Sequence, residues 1–431
     1  MTSKLFIVLG LLAVINAASV ATINAGKTYQ LVRGFGGINL PDWGVDLTDA
    51  QRKTAFTNCD NCLGFTVLRV YVSDDSNAWK KSVPVAKFAQ QQGATIFATP
   101  WNPPSYMCEK FSSGGRSGKR LRRDKYGDYV NHLNKFVDFM KANGVNIYAI
   151  SIQNEPDYAQ EWTWWTSQEC VDFLANYADR IKIKVISPES FQYNKQYYND
   201  ILNNAKANAN TDIFATHFYG TLRSQMDFPR LENNLYPREL WMTEVYVPNS
   251  DHDADLWPEA IAVTVNIHNA LVVGGMNAYV WWYIRRSYGP MKENGKISKR
   301  GYMMAHFSKY IRSGAVRIDA TEFPANEPGR FRGPHRLPGG RQRGAGRGLR
   351  RGGHLLRHPG AGEERRAHRG LQDHLRRHLQ PPRAHPAADH RHHHHLRGSG
   401  AGRLLRSRHQ GKHQSDLHRD AGQPQQQYRG Y

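Results

Sequence analysis

The sequence predicts an α/β fold, and within that class a closed (β/α)8 barrel. Three observations carry this reading. Eight short apolar stretches of strand character recur between Arg33 and Tyr283. Most of the intervals between them leave room for a helix, and several show apolar residues at three- and four-residue spacing. The strands are apolar on both faces and so need cover on both sides, which a barrel ringed by helices supplies. The rival is an open doubly wound sheet, which should carry a GxGxxG phosphate turn after an early strand. The GFGG run at Gly34 to Gly37 does not match it.

The chain begins with a lysine at position 4, an apolar stretch from Leu5 to Ile15 and then small residues. That order predicts a secretory signal peptide over residues 1–21, cut between Ala17 and Thr22. The apolar core is too short to span about 30 Å of hydrocarbon, so a membrane anchor is not expected. The strands are read at Arg33–Ile38, Thr66–Val72, Thr95–Thr99, Ile147–Ile152, Lys182–Ser187, Asp212–His217, Glu239–Thr243 and Ala278–Tyr283. Helices are read at Asp128–Met140, Ser167–Ile181 and Glu259–Leu271 from their apolar spacing. Four cysteines occur, at 59, 62, 108 and 170. Cys59 and Cys62 have redox or half-zinc spacing, but no second CxxC and no nearby histidine follow. A local disulfide or buried thiols is the expectation, with no metal site and no cofactor.

Charge is distributed unevenly. Residues 323–431 hold 23 Lys and Arg against 7 Asp and Glu, a net of +16 out of the formal +21. They hold 15 of the 20 histidines and none of the 10 tryptophans. The basic character therefore belongs to this tail, and the preceding part is not read as a specific nucleic-acid binder. The tail has neither helical period nor strand alternation and too little apolar mass to order itself. It reads as a low-complexity Arg/Gly/His/Pro segment, expected to be disordered. Its abrupt composition is what an out-of-frame read of GC-rich coding sequence would give. A genuine disordered extension and a polyanion-binding tail are the alternatives.

In a barrel of this kind chemistry gathers at the C-terminal ends of the strands. Polar and aromatic groups recur there: Arg69, Trp101, Asn154 and Glu155, Glu189, His217 and Tyr219, Glu244 and Tyr246, then Trp282, Arg286 and Tyr288. Glu155 and Glu244 end the fourth and seventh strands. Two acids on one strand-end face suit glycosidic bond cleavage, which needs a proton donor and a nucleophile or base. Glu155 is read as the acid/base and Glu244 as the nucleophile. Asn154 is placed to hydrogen-bond a sugar 2-hydroxyl. Tyr219 and His217 are expected to donate to Glu244 and keep it ionised, with Arg69 in support. Trp101 and Trp282 offer flat faces for pyranose rings.

With those residues in view, the chain resembles the glucuronoxylanases of glycoside hydrolase family 30, in the bacterial-type subfamily 8. The matching stretches are GFGGIN, TVLRVYV, ATPWNPP, SIQNEPDY, SPESFQ, ATHFYG, LWMTEVYV and the long run from YVWWYIRRSYG to AVRIDAT, together covering about Thr28 to Thr321. The resemblance implies a TIM barrel with a side β-sandwich and a retaining mechanism. The acid/base falls on Glu155 beside Asn154, and the nucleophile on Glu244. It further implies endo-cleavage of β-1,4-xylan where a xylose carries a 4-O-methylglucuronate branch. The arginine that grips the branch carboxylate falls on Arg286, with Tyr288, Trp282 and Tyr246 around it. An arginine fork gives a planar carboxylate paired charge-assisted hydrogen bonds.

Two departures from the family stand out. The loop after the third strand reads WNPPSYMC, where the family usually carries a tryptophan and a lysine near Tyr106 and Cys108. The side β-sandwich appears truncated: residues 22–31 supply its N-terminal strand and 313–322 a remnant, while 32–312 form the barrel. The expected protein is a secreted, extracellular and monomeric enzyme acting on glucuronoxylan polysaccharide. The alternatives are a related retaining β-glycosidase on another β-glycan and a catalytically impaired carbohydrate-binding homologue.

Overall fold

The structure is a computed structural model that describes residues 20–322, apart from Val45 and residues 114–115, 159–161, 233–237 and 249–252. The expected signal peptide, except its last two residues, and the basic tail lie outside the described residues. The first strand, β1 (Ile23–Leu31), stands apart from the barrel. The barrel strands follow as β2 (Gly34–Ile38), β3 (Val67–Val72) and β4 (Thr95–Pro100). A hairpin comes next, β5 (Cys108–Ser113) with β6 (Arg116–Leu121). Then come β7 (Ala149–Ser151), β8 (Lys184–Ser190), β9 (Ile213–His217), β10 (Glu239–Glu244) and β11 (Ala278–Tyr283). Each of the eight barrel strands pairs in parallel with the next in chain order, and β11 pairs back to β2 to close the barrel. A last strand, β12 (Val316–Ala320), returns to pair antiparallel with β1.

Helices fill the intervals as predicted. They are α1 (Asp49–Phe56), α2 (Val83–Gln91), α3 (Tyr126–Ala142), α4 (Ser167–Asn176), α5 (Lys195–Asn203), α6 (Ala205–Ala209), α7 (Arg223–Met226), α8 (Pro229–Glu232), α9 (Trp257–Val272) and α10 (Lys299–Ser308). Local signals set their starts. Thr48 with Gln51 and Thr166 with Glu169 form reciprocal capping boxes at α1 and α4. The helix read as Ser167–Ile181 stops at Asn176, because Tyr177 leaves helical geometry at φ −138°. Its ring packs instead against Tyr126 and Phe173. The β5–β6 hairpin was not expected, since its residues are mostly polar and show no apolar alternation.

The GFGG run serves the barrel. A Cβ on Gly36 would stand 1.7 Å from the Val67 carbonyl oxygen, so only glycine lets β2 run this close to β3. The barrel interior is closed below the mouth by Val67, Phe97, Ile186, Trp241 and Val280, with the Phe97 and Trp241 rings edge-on at 5.4 Å. That packed floor leaves the strand ends as the place for a site.

The β1–β12 pair is the recognisable part of the expected side domain. It is largely exposed, including Ile23, Tyr29, Leu31, Val316 and Ile318. Cys59 and Cys62 form a disulfide, whereas Cys108 and Cys170 are free thiols. Among the described residues no helix is long and apolar enough to cross a membrane.

Candidate active site

The two glutamates reach the mouth by different routes. Glu244 is the last residue of β10, and its carbonyl accepts from the Phe218 amide at 3.2 Å. Glu155 lies four residues past β7 with a left-handed backbone at φ 38°. Strained backbone of this sort persists only where neighbours over-determine it. Here the Glu155 amide donates to the Glu189 carbonyl at 3.1 Å and the Asn154 amide to the Pro100 carbonyl at 2.9 Å. The NEP turn is thus pinned to the strands on either side.

Both oxygens of Glu244 are held. Tyr219 donates its hydroxyl to Oε1 at 2.7 Å, and Arg69 Nη1 donates to Oε2. Arg69 is fully buried and divides its fork among several acceptors. Nε binds Thr99 Oγ1 at 3.1 Å, and Nη2 binds Asn154 Oδ1 at 2.7 Å and Glu189 Oε1 at 3.2 Å. One guanidinium therefore neutralises Glu244 and orients Asn154. With its oxygen taken by Arg69, Asn154 has Nδ2 left without a protein partner, the donor that a sugar hydroxyl would need.

The environment of Glu155 is different. Burial drives its pKa up to about 7, opposed by His217 and assisted by the negative charge of Glu244. His217 Nδ1 lies 2.7 Å from Glu155 Oε1. Burial works against a charge on His217, but Glu244, Glu155 and Glu189 outweigh it and raise its pKa to about 9. This corrects the expectation that His217 serves Glu244. It lies 4.0 Å from Glu244 Oε2 and makes its short contact with Glu155, because the imidazole reaches across from β9 toward β7. Tyr219 alone of that pair donates to Glu244.

Oxygens of Glu155 and Glu244 and a nitrogen of His217 lie within 4.8 Å of one another. Such a cluster is small enough to consider a cation. The Arg69 guanidinium on Glu244 already supplies the positive charge there, so the donor set reads as a proton and charge network. Glu155 and Glu244 thus each place a carboxylate oxygen within 4.8 Å of the other, both at the open mouth of the barrel.

The aromatic residues divide into wall and floor. Trp101 is 2 % exposed, wedged among Trp43, Tyr71 and Trp282 with the Arg69 guanidinium 4.6 Å from its ring centre. It is not the open sugar platform the sequence suggested; both its faces are occupied by protein. Trp282 is half-buried, backed by Trp101 at 5.9 Å and Tyr283 at 4.7 Å, and keeps surface at the mouth. Trp43 and Trp162, which sequence reasoning passed over, are also half-buried here. Trp162 donates its ring nitrogen to the Glu155 carbonyl at 3.1 Å.

Tyr219, Tyr246 and Tyr288 continue from Glu244 as one run of rings, with centres 5.4 Å and then 4.7 Å apart. They lead toward Arg286. Its guanidinium stacks 4.0 Å over the Tyr283 ring beside a pocket of about 90 Å3 lined by Ile38, Asn39, Leu40, Gly44, Tyr283 and Glu293. Glu293 is its acidic neighbour, at 3.8 Å. The adjacent Arg285 lines the same pocket, with its Nε 3.7 Å from Glu293, and donates from Nη1 to Gln51 of α1 at 2.8 Å.

Residues 37–202 match the Glycosyl hydrolase family 30 TIM-barrel domain. The glucuronoxylanase XynC of Bacillus subtilis (strain 168) is 58% identical over 310 residues, 72% of this chain and 74% of the relative. The chain belongs to glycosyl hydrolase family 30. Solved family 30 structures agree. An endoxylanase from Clostridium papyrosolvens aligns with TM-score 0.66 and 41% identity over 72% of this chain and 80% of that one. A subfamily 8 xylanase from Clostridium acetobutylicum aligns with TM-score 0.62 and 31% identity over 72% and 79%. As a family 30 member the chain is a glycosidase. One residue of its site was not given a role from sequence: Glu189, fully buried at the end of β8 between Arg69 and His217.

Proposed function

We propose that this protein is a secreted endo-1,4-β-xylanase that cleaves glucuronoxylan with retention, with Glu155 as acid/base and Glu244 as nucleophile. The observation that carries the reading is the contrast between the two carboxylates within one short span. Glu244 accepts from a phenol and a guanidinium, so both its oxygens are held as acceptors and it is ion-paired. Glu155 is buried and raised to about 7, which favours its protonated form.

The chemistry follows from that contrast. Glu155 gives its proton to the glycosidic oxygen as the bond to C1 of the xylose breaks, and a Glu244 oxygen forms a bond to C1. The Glu155 carboxylate then takes a proton from water, whose oxygen attacks C1 and expels Glu244. Asn154 Nδ2 donates to the sugar 2-hydroxyl, a contact that strengthens as positive charge builds on the ring. Trp282 supports a xylose ring. The pocket beside Arg286, with Tyr246 and Tyr288 nearby, takes the branch carboxylate, which makes a glucuronate-bearing xylan the substrate class. The same preference is what the name of the Bacillus relative describes. Action outside the cell is supported by the apolar N-terminal segment and by the Cys59–Cys62 disulfide. Proton NMR of the first products tests the mechanism. Retention predicts that the new reducing end appears first as the β-anomer, whereas initial α-anomer would mean inversion and would remove Glu244 as nucleophile.

A further inference from the structure

The geometry points to Glu189 as the positioning residue that balances the buried charge of the site and so keeps the acid proton on Glu155. The inference rests on the roles proposed above for Glu155 and Glu244. Glu189 is completely buried, in a left-handed backbone conformation at φ 52°. Its carbonyl anchors the Glu155 amide at 3.1 Å. Its carboxylate oxygen Oε1 faces two cationic groups, Arg69 Nη2 at 3.2 Å and His217 Nε2 at 3.7 Å. The second is an ion-pair contact beyond hydrogen-bond reach. Among the described residues, the carboxylates within ion-pair distance of both the arginine that serves the nucleophile and the histidine that serves the acid are Glu189 and Glu244.

The charge count makes the role specific. Arg69 from β3 and His217 from β9 carry two positive charges. Glu244 from β10 and Glu189 from β8 carry two negative ones. The sum is zero with Glu155 protonated, and Tyr219, neutral and hydrogen-bonded to Glu244, does not change it. Burial opposes the charge on Glu189, yet Arg69 and His217 prevail and lower its pKa to about 2, so it stays ionised wherever the enzyme works. Asp157, a half-buried acid at the same turn, accepts from the Phe191 amide at 2.9 Å; its charge acts on Glu155 and His217 as well, and does so with or without Glu189. If Glu189 loses its charge, the site with a protonated Glu155 carries an extra positive charge. Neutrality then returns when the Glu155–His217 pair gives up a proton.

The test is the full-length Glu189→Gln variant, which keeps shape and removes charge. The alkaline limb of kcat/KM on xylan should move to lower pH by about one to three units, the size expected for a charge a few ångströms away. On an aryl glycoside of a glucuronate-branched xylo-oligosaccharide, whose leaving group needs no proton, the alkaline limb of the glycosylation step should not shift. Glu189→Asp, which restores the charge, should return the limb most of the way. An unmoved limb in a folded Glu189→Gln protein overturns the proposal, as does an equal loss on both substrates. Glu155→Gln, run alongside, separates the two ideas. If it shows no leaving-group dependence, the acid assignment has failed rather than the role of Glu189. Should Glu189→Gln not fold, 15N NMR of His217 in the unaltered protein decides. An imidazolium protonated on both nitrogens at pH 7.5 is expected, and a neutral ring there sinks the proposal.

Discussion

Replacing Arg286 with alanine should separate decorated from plain xylan. Arg286 is 31% exposed on its side chain and sits over Tyr283 with Glu293 as its acidic neighbour. A branch carboxylate entering this pocket gains a charge-assisted hydrogen bond, worth about 1.5–3 kcal/mol. At about 1.4 kcal/mol per decade that is roughly 10- to 150-fold in kcat/KM. Partial exposure screens the pair, so we expect the lower part of the range, about 10- to 30-fold. Plain xylan brings no carboxylate and should lose nothing. The Arg286 backbone, hydrogen-bonded to Met291 at 3.0 Å, is unaffected by the change. Glu293 gives the opposite sign: it competes for Arg286, and Glu293→Gln should raise kcat/KM on glucuronoxylan by up to about fivefold, the scale of an exposed pair. The assay is initial-rate kinetics on both polymers for each variant. A parallel fall on both substrates in Arg286→Ala would show that the arginine supports the loop rather than the branch, and would refute the reasoning.

Other perturbations probe the remaining parts. Glu244→Ala should abolish turnover with the fold retained by circular dichroism, and added azide should restore reaction on an activated glycoside of a glucuronate-branched xylo-oligosaccharide with an inverted azido product. Recovery of no inverted product would speak against the nucleophile. Glu155→Gln should cost about 10²- to 10⁴-fold on glucuronoxylan, which needs its leaving oxygen protonated, and far less on an aryl glycoside of a glucuronate-branched xylo-oligosaccharide with a good leaving group. In the unaltered enzyme the Glu155 pKa is raised, so its proton is present below about 7 and lost above it. The rate on xylan should therefore fall as pH rises through that value. A chain ending at Glu322 should keep the melting temperature and activity of the full chain, because every barrel strand and the β1–β12 pair precede that point. Ending it before Val316 should lower the melting temperature, since β1 loses its partner.

What the sequence made legible was whatever is encoded locally. Eight apolar strands ending in polar or aromatic residues pointed to the barrel, its open face and the two glutamates proposed for catalysis. Charge contacts between distant strands were not legible. Glu189 lies 120 residues from Arg69, and its SPES surroundings look like an ordinary turn. Its role exists only once the closed barrel brings the ends of β3, β8 and β9 to one mouth. His217 could be placed at the mouth from its strand, but the choice between Glu155 and Glu244 depends on where the ring reaches across the barrel. Trp101 shows the same limit. A tryptophan at a strand end can face the cleft or the wall, and Arg69 stacking on its face settles which. Arg286 and Arg285 are neighbours in sequence and both line the pocket, and only the fold shows that Arg285 is also tied to Gln51 while the Arg286 guanidinium lies over Tyr283.

The central claim is that this is a retaining xylanase whose cut is directed by a glucuronate branch, and one measurement bears on it most directly. Glucuronoxylan and undecorated xylan would be digested side by side with the full-length protein and the products sequenced by mass spectrometry. The account predicts that glucuronoxylan yields oligosaccharides carrying one branch each at a constant distance from the new reducing end, and that undecorated xylan is barely cut. Branches at random positions, or equal digestion of both polymers, would contradict it.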